Sequence, residues 1–277
     1  MRFTKMHGLG NDFIVIDGVT KSYEPTPDAI RWLADRRFGV GCDQILIAER
    51  ATRPEADFRY RIYNPDGSEV EHCGNGVRCL ARFLQQRGLA GPGELCFETM
   101  NGLSRVNARA DGLVTVDMGS PVLAPDAIPF HGGEQAPSYA LAVGERHLSI
   151  GAVSMGNPHA VVQVPSVDEA DVAGLGPLIE SHPAFPHRTN AGFMAVVDAT
   201  RIRLRVYERG AGETMACGTG ACAAMVVGRV QGLLGEDVTV ELPGGELMVH
   251  WSGGDASVQM TGPAVTVFTG ETVPPNQ

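Results

Sequence analysis

Cys73 and Cys217, two of the six cysteines in this 277-residue chain, sit in matching contexts: Cys73-Gly74-Asn75-Gly76 and Cys217-Gly218-Thr219-Gly220. Apolar residues at helical spacing begin just after each, so each cysteine stands at the start of a helix whose glycines leave the backbone amides unobstructed. Such a start carries roughly half a positive charge and unpaired N–H donors, which stabilise a thiolate and bind a carboxylate. A thiol of ordinary pKa, about 8.5, is expected to become more acidic there. Two such thiols on opposite sides of one α-carbon would supply the base and the acid that inversion of a stereocentre requires. One is ionised while the other is protonated, the roles exchange in the reverse direction, and the pair titrates as a unit. Amides around Gly74, Asn75, Gly218 and Thr219 would hold the substrate carboxylate as charge builds on it, so no electron-sink cofactor is demanded.

The plainer reading of a free cysteine is a small buried thiol in a turn. Repetition of the whole context argues against it for these two. Cys42, Cys79, Cys96 and Cys222 lack that repeated context and are assigned to packing, Cys79 and Cys222 inside the helices. Zinc is disfavoured, because neither Cys73 with Cys79 nor Cys217 with Cys222 has Cys-x-x-Cys spacing and no paired histidines follow; no metal site is expected. A dithiol oxidoreductase fails the same spacing test, and oxidation of facing thiols to a disulfide would abolish activity.

The elements that must carry these cysteines are themselves duplicated. Arg61-Ile62-Tyr63-Asn64, Glu69 and Cys73-Gly74-Asn75-Gly76 return as Arg205-Val206-Tyr207-Glu208, Glu213 and Cys217-Gly218-Thr219-Gly220. Gly10-Asn11 ahead of Phe13 to Ile16 matches Gly156-Asn157 ahead of Ala160 to Val164, and Gln44 matches Asn190, each before an apolar run. Short runs rich in Val, Ile, Phe and Leu predict strands at Phe13 to Ile16, Ile45 to Ala48, Val161 to Val164, Ile202 to Tyr207 and Val238 to Leu242. Two helices are predicted: one after Cys73, stopped by Gly88, and one after Cys217, apolar on every face until Gly232, which must be enclosed on all sides. The expected fold class is α/β (α+β), with strands wrapped around each helix. Two domains, 1–125 carrying Cys73 and 126–277 carrying Cys217, are expected, the join lying between Pro121 and Pro137. A return of the last strands to the first half is left open.

Composition narrows the partners. A net charge of -10 and a pI near 5.2 disfavour nucleic acid and anionic membrane surfaces, both of which need a basic face. The start MRFTKMHGLGNDF lacks a secretory pattern and no run is long enough to span a membrane, so a cytoplasmic protein with reduced thiols and a small-molecule substrate is expected.

Four motifs then carry a resemblance. His7-Gly8-Leu9-Gly10-Asn11-Asp12-Phe13, Asn64-Pro65-Asp66-Gly67-Ser68 with Cys73-Gly74-Asn75-Gly76-Val77-Arg78, Gly156-Asn157-Pro158-His159, and Glu208-Arg209-Gly210 with Ala216-Cys217-Gly218-Thr219-Gly220 resemble those of the diaminopimelate epimerases, in order and over nearly the whole chain. The resemblance implies two similar domains, each a strand barrel closed around a central helix, with the active site between them and usually a homodimer. It implies interconversion of LL- and meso-2,6-diaminopimelate without pyridoxal phosphate or metal, in lysine and peptidoglycan precursor biosynthesis, with Cys73 and Cys217 as acid and base. A diamino diacid has two zwitterionic ends, and the non-reacting end needs its own partners. Arg209 suits its carboxylate, with Asn64, Asn157 and Asn190 as further amides, and Glu208 suits an ammonium and is also a catalytic candidate. The resemblance adds Asn11 and Gln44 to the same pocket, and His159 is a candidate for helping to deprotonate a thiol. Two rival readings stay open: a proline racemase-like enzyme, and a noncatalytic diacid-binding protein.

Overall fold

The structure, a computed structural model, describes residues 1–70 and 74–273, so the expectations placed on Cys73 fall outside the described residues. The chain forms two compact units, Met1–Asp117 with the C-terminal segment from Thr261, and Met118–Met260.

In the first unit the strands are Arg2–Gly8 (β1), Asn11–Asp17 (β2), Gln44–Arg50 (β3), Phe58–Tyr63 (β4), Glu69–Val70 (β5), Gly93–Thr99 (β6), Gly102–Ala108 (β7) and Leu113–Asp117 (β8), with helices Pro27–Ala34 (α1) and Gly74–Gln86 (α2). The second unit has Tyr139–Val143 (β9), Arg146–Ser154 (β10), Pro158–Gln163 (β11), Asn190–Asp198 (β12), Arg201–Glu208 (β13), Gly212–Thr214 (β14), Asp237–Leu242 (β15) and Gly245–His250 (β16), with helices Val172–Glu180 (α3) and Gly218–Val230 (α4). Gln259–Pro263 (β17) and Val265–Glu271 (β18) complete the strands. The mixed α+β class and the two similar halves expected from the sequence are what the chain adopts.

The repeat extends to strand pairing. β1 to β4 pair antiparallel, parallel, antiparallel, and β10 to β13 do the same. The register is conserved as well: Phe13 lies opposite Gln44 on the parallel pair, and His159 opposite Asn190. Tyr63 faces Glu69 as Tyr207 faces Glu213. One connection differs. The outer neighbour of β10 is β9, the strand just before it, whereas the outer neighbour of β1 is β18, near the other end of the chain.

Each unit encloses one helix. α2 packs on β1, β2, β3, β4, β7 and β8, and α4 on β10, β11, β12, β13, β15 and β16. From Gly220 to Gly228 every residue of α4 is buried, which its lack of a polar face requires. Each fully enclosed Val or Met contributes about 1.5–3 kcal/mol by leaving water. Both helices end alike: Leu89 N–H returns to Leu84 O and Leu233 N–H to Gly228 O, with Gly88 and Gly232 at positive φ. That closing turn needs a left-handed residue, which glycine supplies without steric cost. Among the described residues, no helix is long and apolar enough to cross a membrane.

The wrap is tight where β10 crosses α4: a Cβ on Gly151 would lie 2.2 Å from Val227 Cγ1. Val227 is β-branched and cannot swing clear. Gly151→Ala is therefore expected to cost about 1–3 kcal/mol of stability by overpacking. Urea unfolding of the second unit's signal should register this loss; an unchanged midpoint would mean that the strand and helix can separate cheaply.

Candidate active site

Cys217 is the N-cap of α4, and its sulfur accepts the Gly220 N–H at 3.4 Å. Thr219 Oγ1 stands 3.6 Å from the same sulfur. These are the donors that a helix start was expected to offer. The expected acidic thiol is nevertheless not found at this position. Burial is the largest effect and pushes the Cys217 pKa well above the ordinary thiol value; the Glu208 carboxylate beside it raises it further, while Thr219 and Gly220 lower it. Desolvation disfavours the charged form whatever the local dipole does, and the sulfur is only 4% exposed as a residue. Sequence spacing located the helix start but not the depth of the sulfur.

A directional hydrogen-bond chain leads to this sulfur. His159 Nε2 lies 3.0 Å from Asn157 Oδ1, and Asn157 Nδ2 donates to Thr219 Oγ1 at 3.5 Å. Asn157 therefore shows its oxygen to the imidazole and its nitrogen to the hydroxyl. Asn190 Nδ2 also approaches His159 Nε2, at 3.5 Å, and donates to Pro158 O at 3.1 Å. The His159 ring is buried and its pKa is lowered to about 3, by burial first and by the Arg209 charge second. The ring is neutral at any ordinary pH.

Glu208 ends β13, and Arg209 follows it. Glu208 Oε1 accepts the Thr214 hydroxyl across the β13–β14 turn at 2.5 Å. Arg209 N–H donates to Asn190 Oδ1 at 2.9 Å, while its guanidinium Nη1 donates to His187 O at 3.1 Å. Thus Asn157, His159, Asn190, Glu208, Arg209, Cys217, Gly218 and Thr219 form one connected group in the second unit. Buried Glu180 supports it from behind, accepting Gly210 N–H at 3.1 Å and pairing with Arg188.

The first unit gathers its candidates in two pairs. Asn75 Nδ2 donates to Asn11 Oδ1 at 3.2 Å, and Gln44 Nε2 donates to Asn64 Oδ1 at 3.0 Å. Gly74 opens α2. The parallel register sets Gln44 beside the strand that Asn11 opens. Asp43, the neighbour of Gln44, accepts from Asn11 Nδ2 at 2.9 Å and links the two pairs. Behind it, Arg36 grips both Asp12 and Asp43, at 2.6 and 2.7 Å, and Lys5 pairs with Asp12 at 2.5 Å. The Asp12 carboxyl sits far below the usual carboxylate range: burial opposes this, but Arg36 and Lys5 outweigh it. Burial likewise pushes the Cys42 thiol up to about 12, in keeping with a packing role.

Sequence reasoning passed over Asp43, Arg36, Arg78 and Thr214. Asp43 and Arg78 each adjoin or lie within the stretches singled out above. Adjacency was the available signal, and it does not say which side chain turns towards which.

A family profile described as diaminopimelate epimerase matches residues 3–124 and 151–267. The diaminopimelate epimerase of Alkalilimnicola ehrlichii is 63% identical over 273 residues, covering 98% of each chain. That of Halorhodospira halophila is 60% identical over 271 residues, covering 98% of this chain and 94% of the other. Among solved structures, a probable proline racemase from Agrobacterium radiobacter K84 with bound carbonate superposes with a TM-score of 0.70 at 18% identity, covering 98% and 92% of the two chains. At that identity the likeness is one of fold alone.

The buried neutral histidine has a consequence for stability. Its folded-state pKa lies below its unfolded value of 6.5, so its contribution is complete above about 6.5 and is lost as the pH falls towards about 3, because the unfolded chain takes up the proton first. His159→Phe installs the residue that holds the same register position in the first unit. Thermal unfolding from about pH 7 to about pH 4 should show a shallower acid decline in this variant than in the parent protein; parallel declines would mean that His159 does not titrate between the two states.

Proposed function

This chain belongs to the diaminopimelate epimerase family, and on that footing we propose that it interconverts LL- and meso-2,6-diaminopimelate by moving protons between one α-carbon and two thiols, Cys73 and Cys217. The enzyme is an isomerase. The observation that carries the mechanism is the setting of Cys217: a helix-capping sulfur with a backbone N–H and a hydroxyl aimed at it and a carboxylate alongside.

Inversion needs one thiolate and one thiol at the start of each turnover. The raised Cys217 pKa supports this residue as the protonated member and so leaves Cys73 as the base. The base takes the α-proton from one face while the Cys217 S–H gives its proton to the other. As that proton leaves, the new charge on Cys217 is met by the Gly220 N–H and the Thr219 hydroxyl, which are already in position. The reverse direction runs the same steps with the roles exchanged. Negative charge that delocalises onto the α-carboxylate is met by amides at the helix starts, around Gly74, Asn75, Gly218 and Thr219, so the step requires no electron-sink cofactor.

The distal end of the substrate is assigned to polar side chains named by the resemblance. Arg209, steadied by His187 O, suits the distal carboxylate. Asn11, Gln44, Asn64, Asn157 and Asn190 supply amide contacts, and Glu208 combines contact with an ammonium and control of the Cys217 proton. His159 acts through Asn157, whose orientation it sets. We take the enzyme to work in the cytoplasm as a homodimer, in the supply of lysine and peptidoglycan precursors.

Cys73→Ala and Cys217→Ala are each expected to reduce epimerisation by at least about a thousandfold while the chain stays folded, the upper range for loss of an acid–base group. Deuterium uptake into LL-diaminopimelate in heavy water, followed by mass spectrometry with circular dichroism as the folding check, measures this. Near-normal turnover by either variant would sink the two-thiol mechanism. Proline, run in parallel, should take up no deuterium; uptake by proline alone would move the enzyme to the racemase reading. Serine at either position should leave slow turnover that differs between the two stereoisomers, because a hydroxyl is a much weaker acid than a thiol. Equal loss of exchange from both would argue against one group per face.

A further inference from the structure

Arg78 is fully buried one turn into α2, where a charge persists only if it is paired. Its Nη2 donates to Asn75 Oδ1 at 2.9 Å, and its Nε to Pro263 O at 3.4 Å. From Asn75 the bonds continue in one sense: Asn75 Nδ2 to Asn11 Oδ1 at 3.2 Å, then Asn11 Nδ2 to Asp43 Oδ2 at 2.9 Å. Asp43 Oδ1 in turn accepts from Arg36 at 2.7 Å, which fixes the carboxylate.

The two ends of this chain differ in kind. A guanidinium can only donate and an ionised carboxylate can only accept. With the cation at one end and the anion at the other, each carboxamide between them has a single favourable orientation, oxygen towards Arg78 and nitrogen towards Asp43. Turning either one would set N–H against N–H at one contact and oxygen against oxygen at the next. An amide without charged anchors has a near-isosteric alternative, since its oxygen and nitrogen occupy similar volumes. In the second unit the repeat counterparts of Arg78 and Asp43 are Cys222 and Thr189, and a neutral imidazole orients Asn157 instead.

We propose that Arg78 and Asp43 are positioning residues that lock the Asn75–Asn11 amide pair into one donor–acceptor pattern for the substrate. This rests on the reading of Asn11 and Asn75 as substrate-binding residues. Neither Arg78 nor Asp43 touches substrate; each acts through an amide. Their effect belongs to binding, so it appears in KM more than in kcat.

Steady-state kinetics with diaminopimelate on the full chain tests this. Asp43→Ala is expected to raise KM about tenfold, the equivalent of one net hydrogen bond, with kcat changed much less. Asp43→Asn keeps the shape but removes the enforced polarity; it should raise KM by a smaller factor, and it carries the same test should the alanine variant unfold. At the other end, Arg78→Met should raise KM and Arg78→Lys, which restores a buried cation, should recover most of the loss. In an Asn11→Ala background, Asp43→Ala should add less than about a twofold change, because its effect passes through Asn11. A lower melting temperature with unchanged KM in Asp43→Ala and Asp43→Asn would make the chain a structural ion network and overturn the proposal. So would a full tenfold effect that persists without Asn11. If Asn11→Ala itself left KM unchanged, the substrate-site reading would fall and this proposal with it, whereas an impaired Asn11→Ala beside a normal Asp43→Ala would remove the proposal alone.

Discussion

A helix with no polar face must be enclosed by other elements, and enclosure leaves only its ends for polar chemistry. In α4 the strands cover the sides, so the first turn is where unpaired N–H groups gather. Cys217 occupies the cap and answers one of those donors with its sulfur. Thr219, Asn157 and His159 are then ordered outward from that point by hydrogen bonds whose directions are mutually consistent. The chemistry of the second unit is thus arranged around a packing requirement.

At Cys217 two physical effects compete. The helix start and the hydroxyl favour the thiolate, whereas burial and a neighbouring carboxylate favour the thiol, and the latter pair prevails. A net hydrogen bond is worth about 1 kcal/mol, or about 1.5–3 to a charged group, while desolvating an ion costs several. The same donors still matter once the proton departs, since they need no rearrangement to meet the charge that then appears. A thiol that holds its proton at rest and has donors in place for its conjugate base matches the proton-donor role proposed for Cys217.

The two halves share a strand register yet differ in how they fix their amides. Phe13 and His159 stand at equivalent places opposite Gln44 and Asn190, one apolar and one polar. The first unit compensates with charge, using Lys5, Asp12, Arg36 and Asp43 beside Asn11 and buried Arg78 beside Asn75. The second orients its amides with a neutral ring, a hydroxyl and backbone groups. Duplication preserved the backbone pairing while the polar side chains diverged.

The amino-acid order alone determined the α+β class, the duplicated strand and helix order, and the two enclosed helices, Gly74–Gln86 and Gly218–Val230, each closed by a glycine. Those features follow from local rules: hydrophobic period, glycine at positive φ, and spacing repeated between halves. Only the tertiary structure decided that β18 pairs beside β1, that burial raises the Cys217 thiol rather than leaving it lowered, and that Asp43 and Arg78 hydrogen-bond to Asn11 and Asn75. Each of these depends on burial or on contacts between residues far apart in the chain, and a sequence pattern carries no measure of depth and no direction for a side chain.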